Sequence, residues 1–271
     1  MNRIYPALIL MLCGSLGFAQ ESPHGAASAS EEKFRAMATL AQRIQVFILR
    51  DGKEIPATLR DEPVMKYGDG LRKIKESTLW AWMDGPQPVA FQKIEVNVWN
   101  GPENPFWTFC IASATPQRLK IVWPFRPEPF LTEPLPFVTL GGVDIQTQTE
   151  AALKLQLRSL VRDVKVTEGA GKTAEEIRLL PHPLLSIADP GRNVHGAVFG
   201  YAMGTNPDAL VILRTIAPSG TQPELQCSVV HMTSSALTAA FRETEVHHIA
   251  GQRPGLYETW GYFFANAGVS E

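Results

Sequence analysis

Five of the six histidines, His182, His195, His231, His247 and His248, lie in the second half of the sequence. Histidine changes charge near neutral pH and is a common zinc ligand. A hydrolytic or metal centre would therefore draw on His182, His231 and an acid such as Asp208. No two of these histidines have the HExxH spacing that sets two ligands on one helix face. They read as dispersed, hydrogen-bonded side chains, and no metal site or cofactor is expected. Gly169-Ala-Gly-Lys-Thr173 ends like a phosphate loop, but the leading glycine of that pattern falls at Val166, and the segment follows a helical stretch rather than a strand. Ser234-Ser235 lacks the Gly-x-Ser-x-Gly elbow and reads as a helix cap. Asp84 and Asp208 flank two turns and read as turn residues rather than a carboxylate pair. The balance leans away from an enzyme.

Aromatic side chains give the other candidate. Trp80 and Trp82 are two apart, as are Phe199 and Tyr201, so each pair shares a strand face. An exposed aromatic face would be a ligand-binding platform for sugars or peptides. The reverse faces, Leu79-Ala81-Met83 and Val198-Gly200-Ala202, are apolar too, so burial on both sides is expected. The aromatic face is expected against the other half, and the small reverse face under a helix.

The elements that carry these residues recur. Thr78–Pro88 and Ala197–Pro207 are 119 residues apart and match at Trp80 and Phe199, Trp82 and Tyr201, Gly85 and Gly204, Pro88 and Pro207. Ser28–Glu31 and Thr147–Glu150 both have capping-box spacing, and each precedes apolar residues at helical spacing. Gly-Lys turns, proline-interrupted extended segments and the polar loops Asp69–Lys75 and Asp189–Asn193 follow in both halves. The expected fold class is α+β, with two pseudo-symmetric tandem repeats, each a helix packed on an antiparallel sheet of about five strands. The expected division is a signal peptide at 1–19, a flexible lead-in at 20–29, a first repeat at 30–123, a proline-rich linker at 124–146, a second repeat at 147–249 and an aromatic C-terminal segment at 250–271. A site is expected where the halves differ, which directs attention first to the histidines.

Arg178-Leu-Leu-Pro-His-Pro183, Gly196-Ala-Val-Phe199, Gly204-Thr-Asn-Pro207 and Met232-Thr233 resemble a family of predicted secreted bacterial proteins, mainly planctomycete, of unknown function. The chain departs from that pattern at His195, where an aspartate before the glycine is usual. The resemblance implies export and the whole-length architecture, and it brings no activity or site residue.

Composition narrows the function classes. Over 271 residues the net charge is −2, which gives no basic excess for nucleic acid or an anionic membrane surface. Arg3, the apolar run from Ala7 to Leu12, and Gly17-Phe18-Ala19 have the form of a cleavable signal peptide, too short for a membrane span. Leu12 is too bulky for a lipoprotein site at Cys13. The expected location is periplasmic or extracellular. Cys110 and Cys227 are expected as buried thiols, with a disulfide between them as the alternative. The sequence thus favours an exported non-catalytic binding or scaffolding protein with a protein or small-molecule partner. The alternatives are a small-molecule carrier with an apolar pocket between the halves, or a hydrolase using the second-half histidines.

Overall fold

The computed structural model describes residues 23–101, 103–124, 126–145, 149–217, 222–252, 255–256 and 259–266. Helix α1 (Pro23–Gln42) is followed by β1 (Gln45–Arg50), β2 (Lys53–Pro56), β3 (Thr58–Leu59), β4 (Met65–Asp69), β5 (Ile74–Asp84), β6 (Gln87–Asn97), β7 (Phe106–Ser113) and β8 (Leu119–Val122). Two short strands, β9 (Phe130–Leu131) and β10 (Val138–Thr139), lie in the proline-rich stretch. Helix α2 (Glu150–Leu160) opens the second half, with β11 (Val164–Glu168), β12 (Glu175–Asp189), β13 (Val194–Ala202), β14 (Ala209–Ile216), β15 (Glu224–His231), β16 (Leu237–Phe241) and β17 (Thr244–Ile249). The C-terminal segment adds β18 (Gly255–Leu256) and β19 (Trp260–Asn266).

This overturns the α+β expectation. Nineteen strands stand against two α-helices of 20 and 11 residues among the described residues, so the class is mostly β. Two of the three sheets are also larger than five strands, with eight and seven. Segments read as linker or tail carry apolar residues at short intervals and add to sheet edges. In the proline-rich stretch the prolines, which cannot donate to a ladder, fall outside the two paired dipeptides. There β9 pairs with β8 and β10 with β15. The signal-peptide residues lie outside the described residues. Helix α1 begins at Pro23, so Ser28 is internal to it rather than a cap. Helix α2 is capped by Thr149, whose Oγ1 accepts from the Ala152 N–H at 3.1 Å; Thr147 lies outside the described residues.

The second half is one antiparallel sheet ordered β10-β15-β14-β13-β12-β11-β16-β17. It curls until its last strand returns beside β15, where the His231 and His247 rings are 6.3 Å apart. Leu153 and Leu157 of α2 fill its inner side together with Phe199, Tyr201, Val211 and Leu213. The Tyr201 hydroxyl donates to the Val161 or Val164 carbonyl, at 2.8 and 3.0 Å, which ties the end of α2 to the sheet. The first half has the same strand succession in two pieces: β18-β19-β7-β6-β5-β3, with β4 also on β5, and β2-β1-β8-β9. Only Ala57 separates β2 from β3, and its N–H donates to the Val46 carbonyl at 2.8 Å. The central hairpins share their register. Trp80 faces Gln92 and Phe199 faces Val211, each residue 119 positions on.

The two sheets pack back to back. Leu79, Ala81 and Phe91 meet Val198, Leu210 and Ile212 in one buried apolar layer, closed by Trp260 of β19. The aromatic faces point the other way, Trp80 and Trp82 into the core under α1 and Phe199 and Tyr201 into the core under α2. The expected assignment of the two faces is therefore reversed. The layer between the sheets holds large side chains as well, and the space beside Gly200 is filled by Leu180 and Leu184 of the neighbouring β12, whose Cδ1 atoms would lie 2.7 and 3.1 Å from a Cβ there. No helix among the described residues is long and apolar enough to cross a membrane.

Candidate functional site: the two ends of the seam

Each half sends one loop across the seam between the sheets. After β4 the loop reads Asp69-Gly-Leu-Arg72, and after β12 it reads Asp189-Pro-Gly-Arg192. In both, an aspartate Oδ1 accepts from the backbone N–H of the arginine three residues on, at 3.1 and 3.2 Å. This is a short-range turn device that fixes where the arginine leaves the loop. The second carboxylate oxygen reaches the opposite half's hairpin. Asp69 Oδ2 accepts from the N–H groups of Thr205 and Asn206, both at 3.1 Å, and Asp189 Oδ2 accepts from Gln87 Nε2 at 3.4 Å. Burial pushes the Asp69 carboxyl up, but the backbone donors of Asn206, Arg72 and Thr205 outweigh it and hold it below the usual carboxylate range. Each loop thus aims its arginine at a carboxylate on the other half. Arg72 donates to Asp208 at 3.1 Å, and Arg192 donates to Asp84 at 3.2 Å.

At the Arg72 end every cation meets carboxylates, and the carboxylates are in excess. Arg72 Nη2 also donates to Glu168 at 2.6 Å, and Glu168 accepts from Thr233 Oγ1 at 2.9 Å. Below them Lys93 and Glu95, each 1% exposed, form a pair at 3.3 Å. Lys93 Nζ donates to Asn206 Oδ1 and the Pro207 carbonyl at 2.7 and 3.1 Å, and the Tyr67 hydroxyl donates to Glu95 at 3.0 Å. Burying charges without such partners is prohibitive. Asp208 accepts through Oδ2 from the Met203 N–H at 3.2 Å, and its Oδ1 has no partner. Burial pushes this carboxyl up to about 7, against the pull of Arg72 and Lys93. A cleft of about 270 Å³ opens above the network beside the half-exposed Trp99.

At the opposite end the cations outnumber the carboxylates. A cleft of about 420 Å³ lies between the β5–β6 turn, the end of β7 and the seam face of β12–β14. Three arginines line it, Arg50, Arg192 and Arg214. Arg50 and Arg192 share Asp84, at 2.7 and 3.2 Å, and Arg192 Nε lies 3.8 Å from Asp189. Burial raises the Asp84 carboxyl, but hydrogen bonds from Arg50 and Arg192 prevail and hold it below its ordinary range. Arg214 has no carboxylate in contact among the described residues. Its Nε and Nη2 donate to Gln226 Oε1 at 3.1 and 2.9 Å, and its guanidinium lies 3.5 Å from the Phe137 ring centroid. Burial without a counter-charge lowers its pKa to about 10, which leaves it a cation at neutral pH. Two carboxylates face three guanidiniums, so this end carries one surplus positive charge directed into a cleft.

The sequence candidates fall elsewhere. His182 is exposed on β12, His231 is 1% exposed on β15, and Asp208 lies at the Arg72 end. No hydrogen bond joins any two of the three, and no group of three or more metal-ligating side chains forms among the described residues. His231 stacks on Trp260 at 4.5 Å with both ring nitrogens unpartnered. Burial pushes it down to about 3 and His247 to about 4. Trp80, Trp82, Phe199 and Tyr201 are 2–5% exposed and belong to the two helix-side cores. Taken singly, none of the three arginines carries a sequence pattern that marks it. The signal was available in the shared Asp-x-x-Arg loops, 120 residues apart, and in the strand position that holds Glu95 in one half and Arg214 in the other. No protein family, curated protein or solved structure matches the chain.

Proposed function

We propose that the chain is an exported, non-catalytic binding protein that takes a small anion in the cleft where Arg50, Arg192 and Arg214 meet. The observation that carries this reading is Arg214, a half-buried guanidinium with no carboxylate partner among the described residues, facing a cleft of about 420 Å³. A buried cation without a counter-ion is costly, and an incoming anion removes that cost while gaining charge-assisted hydrogen bonds. The cleft lies between the halves, as in the carrier alternative, but its mouth is cationic. The form of the N-terminal residues, Arg3, Ala7–Leu12 and Gly17-Phe18-Ala19, supports export.

Titration calorimetry on the purified chain against phosphate, sulfate and carboxylates tests the reading, with Arg214→Gln alongside. Binding that Arg214→Gln abolishes supports it. No heat with any anion, or binding that is indifferent to Arg214, refutes it. For export, the N-terminus of the protein recovered from a secreting host should begin at Gln20.

A further inference from the structure

Resting on that reading, we propose that the ligand is an organic monoanion: a carboxylate or sulfonate head on an apolar body. The head takes Arg214 and the body lies along the seam.

Charge sets the valence. Asp84 and Asp189 already answer two of the three guanidiniums, so one negative charge completes the cleft and two would overfill it. The orientation of Arg214 sets the head. Its plane rests on Phe137, and the edge carrying Nε is occupied by Gln226. Nη1 has no partner among the described residues, so the edge it shares with Nη2 is open to a planar carboxylate, in the fork geometry that guanidinium and carboxylate share.

The wall sets the body. Ile187, Val194 and Ile212 line the cleft and also belong to the apolar layer between the sheets, with Phe137 packed against it. Val89 and Ala114 continue the wall from the first half. An inorganic ion would leave most of this apolar surface wet. A volume of about 420 Å³ falls in the range of small organic ligands.

The other end of the seam is the internal control. Glu95 and Lys93 occupy there the strand positions that Arg214 and Ile212 occupy here. They pair with each other, and the cleft above them shrinks to about 270 Å³. This pair of residues gives the cleft its unpaired cation and part of its apolar wall, where the other half has an ion pair.

The test is calorimetric titration of the full chain with acetate, hexanoate, benzoate, phthalate, inorganic phosphate and benzyl alcohol. Each buried methylene is worth about fourfold in affinity, so hexanoate and benzoate should bind at least tenfold tighter than acetate or phosphate. Benzyl alcohol should not bind, and phthalate should bind more weakly than benzoate. Arg214→Gln should weaken benzoate at least tenfold, and Ile212→Ala should weaken hexanoate more than acetate. Circular dichroism of both variants separates lost binding from lost fold. Phosphate or acetate binding as tightly as benzoate overturns the organic-monoanion proposal while leaving an anion site in place. Benzyl alcohol binding as tightly as benzoate, or no anion binding at all, overturns both.

Discussion

Glu95 and Arg214 occupy one position in two copies of the same hairpin. Glu95 faces Ser77 across β5–β6, Arg214 faces Gly196 across β13–β14, and both pairs are 119 residues apart. Two residues earlier on the same faces stand Lys93 and Ile212. One hairpin thus carries a closed ion pair into the seam, and the other carries an isoleucine and an uncompensated cation. These four side chains are one source of the difference between the ends of the seam, beside Arg50 and Asp84 at one end and Glu168 and Asp208 at the other.

Lys93→Met leaves Glu95 buried without its ion partner. Removing one member of a buried pair costs about 3–5 kcal/mol, and Lys93 and Glu95 are each 1% exposed. Lys93→Met combined with Glu95→Gln removes both charges and keeps an acceptor for the Tyr67 hydroxyl, so most of the loss should return. Urea denaturation of the single and double variants measures this. Equal losses in the two would show that the pair's charges do not set its stability.

The folded-state pKa of Asp208 is raised by burial to about 7 from the ordinary carboxylate value of 3.8. Between those values the folded protein holds a proton that the unfolded chain releases. This contribution to stability is full below pH 4 and is lost as pH rises through 7. Asp208→Asn keeps acceptors for Arg72 and the Met203 N–H but removes the titration. The stability of the natural protein relative to Asp208→Asn should therefore fall steadily from pH 4 to 7. A difference that is flat with pH would show Asp208 ionised throughout.

The hairpins were legible in the sequence because a duplicated strand keeps its alternation, its turn glycine and its proline, as at Gly85 and Gly204. The class was not. Strands such as β9 and β10 are two residues long and sit between prolines, where no period can show. They exist because an open sheet edge offers partners, and only the folded chain has that edge. The arginine cleft was hidden for a related reason. Arg50, Arg192 and Arg214 come from β1, a loop and β14, and arginine on a mixed surface has no spacing that marks it. The principle that a site lies where the halves differ applies to Glu95 and Arg214 as much as to the histidines.

His231 and His247 should make the protein acid-sensitive. Their folded pKa values are lowered to about 3 and about 4 from 6.5, so the unfolded chain binds protons first. Their contribution is complete above pH 6.5 and is lost as pH falls toward 4, in opposition to Asp208 over that window. His231→Phe removes the titration and keeps a ring against Trp260. Melting temperatures from pH 7 to 4 should fall less for this variant than for the natural protein. Parallel curves would exclude His231 as a source of the acid limb.

Trp80→Ala should destabilise by about 3–5 kcal/mol, as large aromatic-to-alanine changes in a core do. Trp80 is 3% exposed in the core under α1, and its indole N–H donates to Thr78 Oγ1 at 2.9 Å. Denaturant midpoints measure the loss. A stable variant would mean that the ring does little packing and would return it to consideration as a ligand platform.

Cys110 and Cys227 are free thiols in different cores, Cys110 between the sheets and Cys227 inside the curled second sheet. Burial pushes both thiols up to about 12, and the thiolate is the reactive form. In the native state neither should react with a disulfide reagent over hours at pH 8, and both should react within minutes in denaturant. Rapid native labelling of Cys227 would mean that the second sheet opens beside β15. A shortfall of two thiols in denaturant without reductant would mean that the pair had formed a bridge, which their placement in separate cores does not allow.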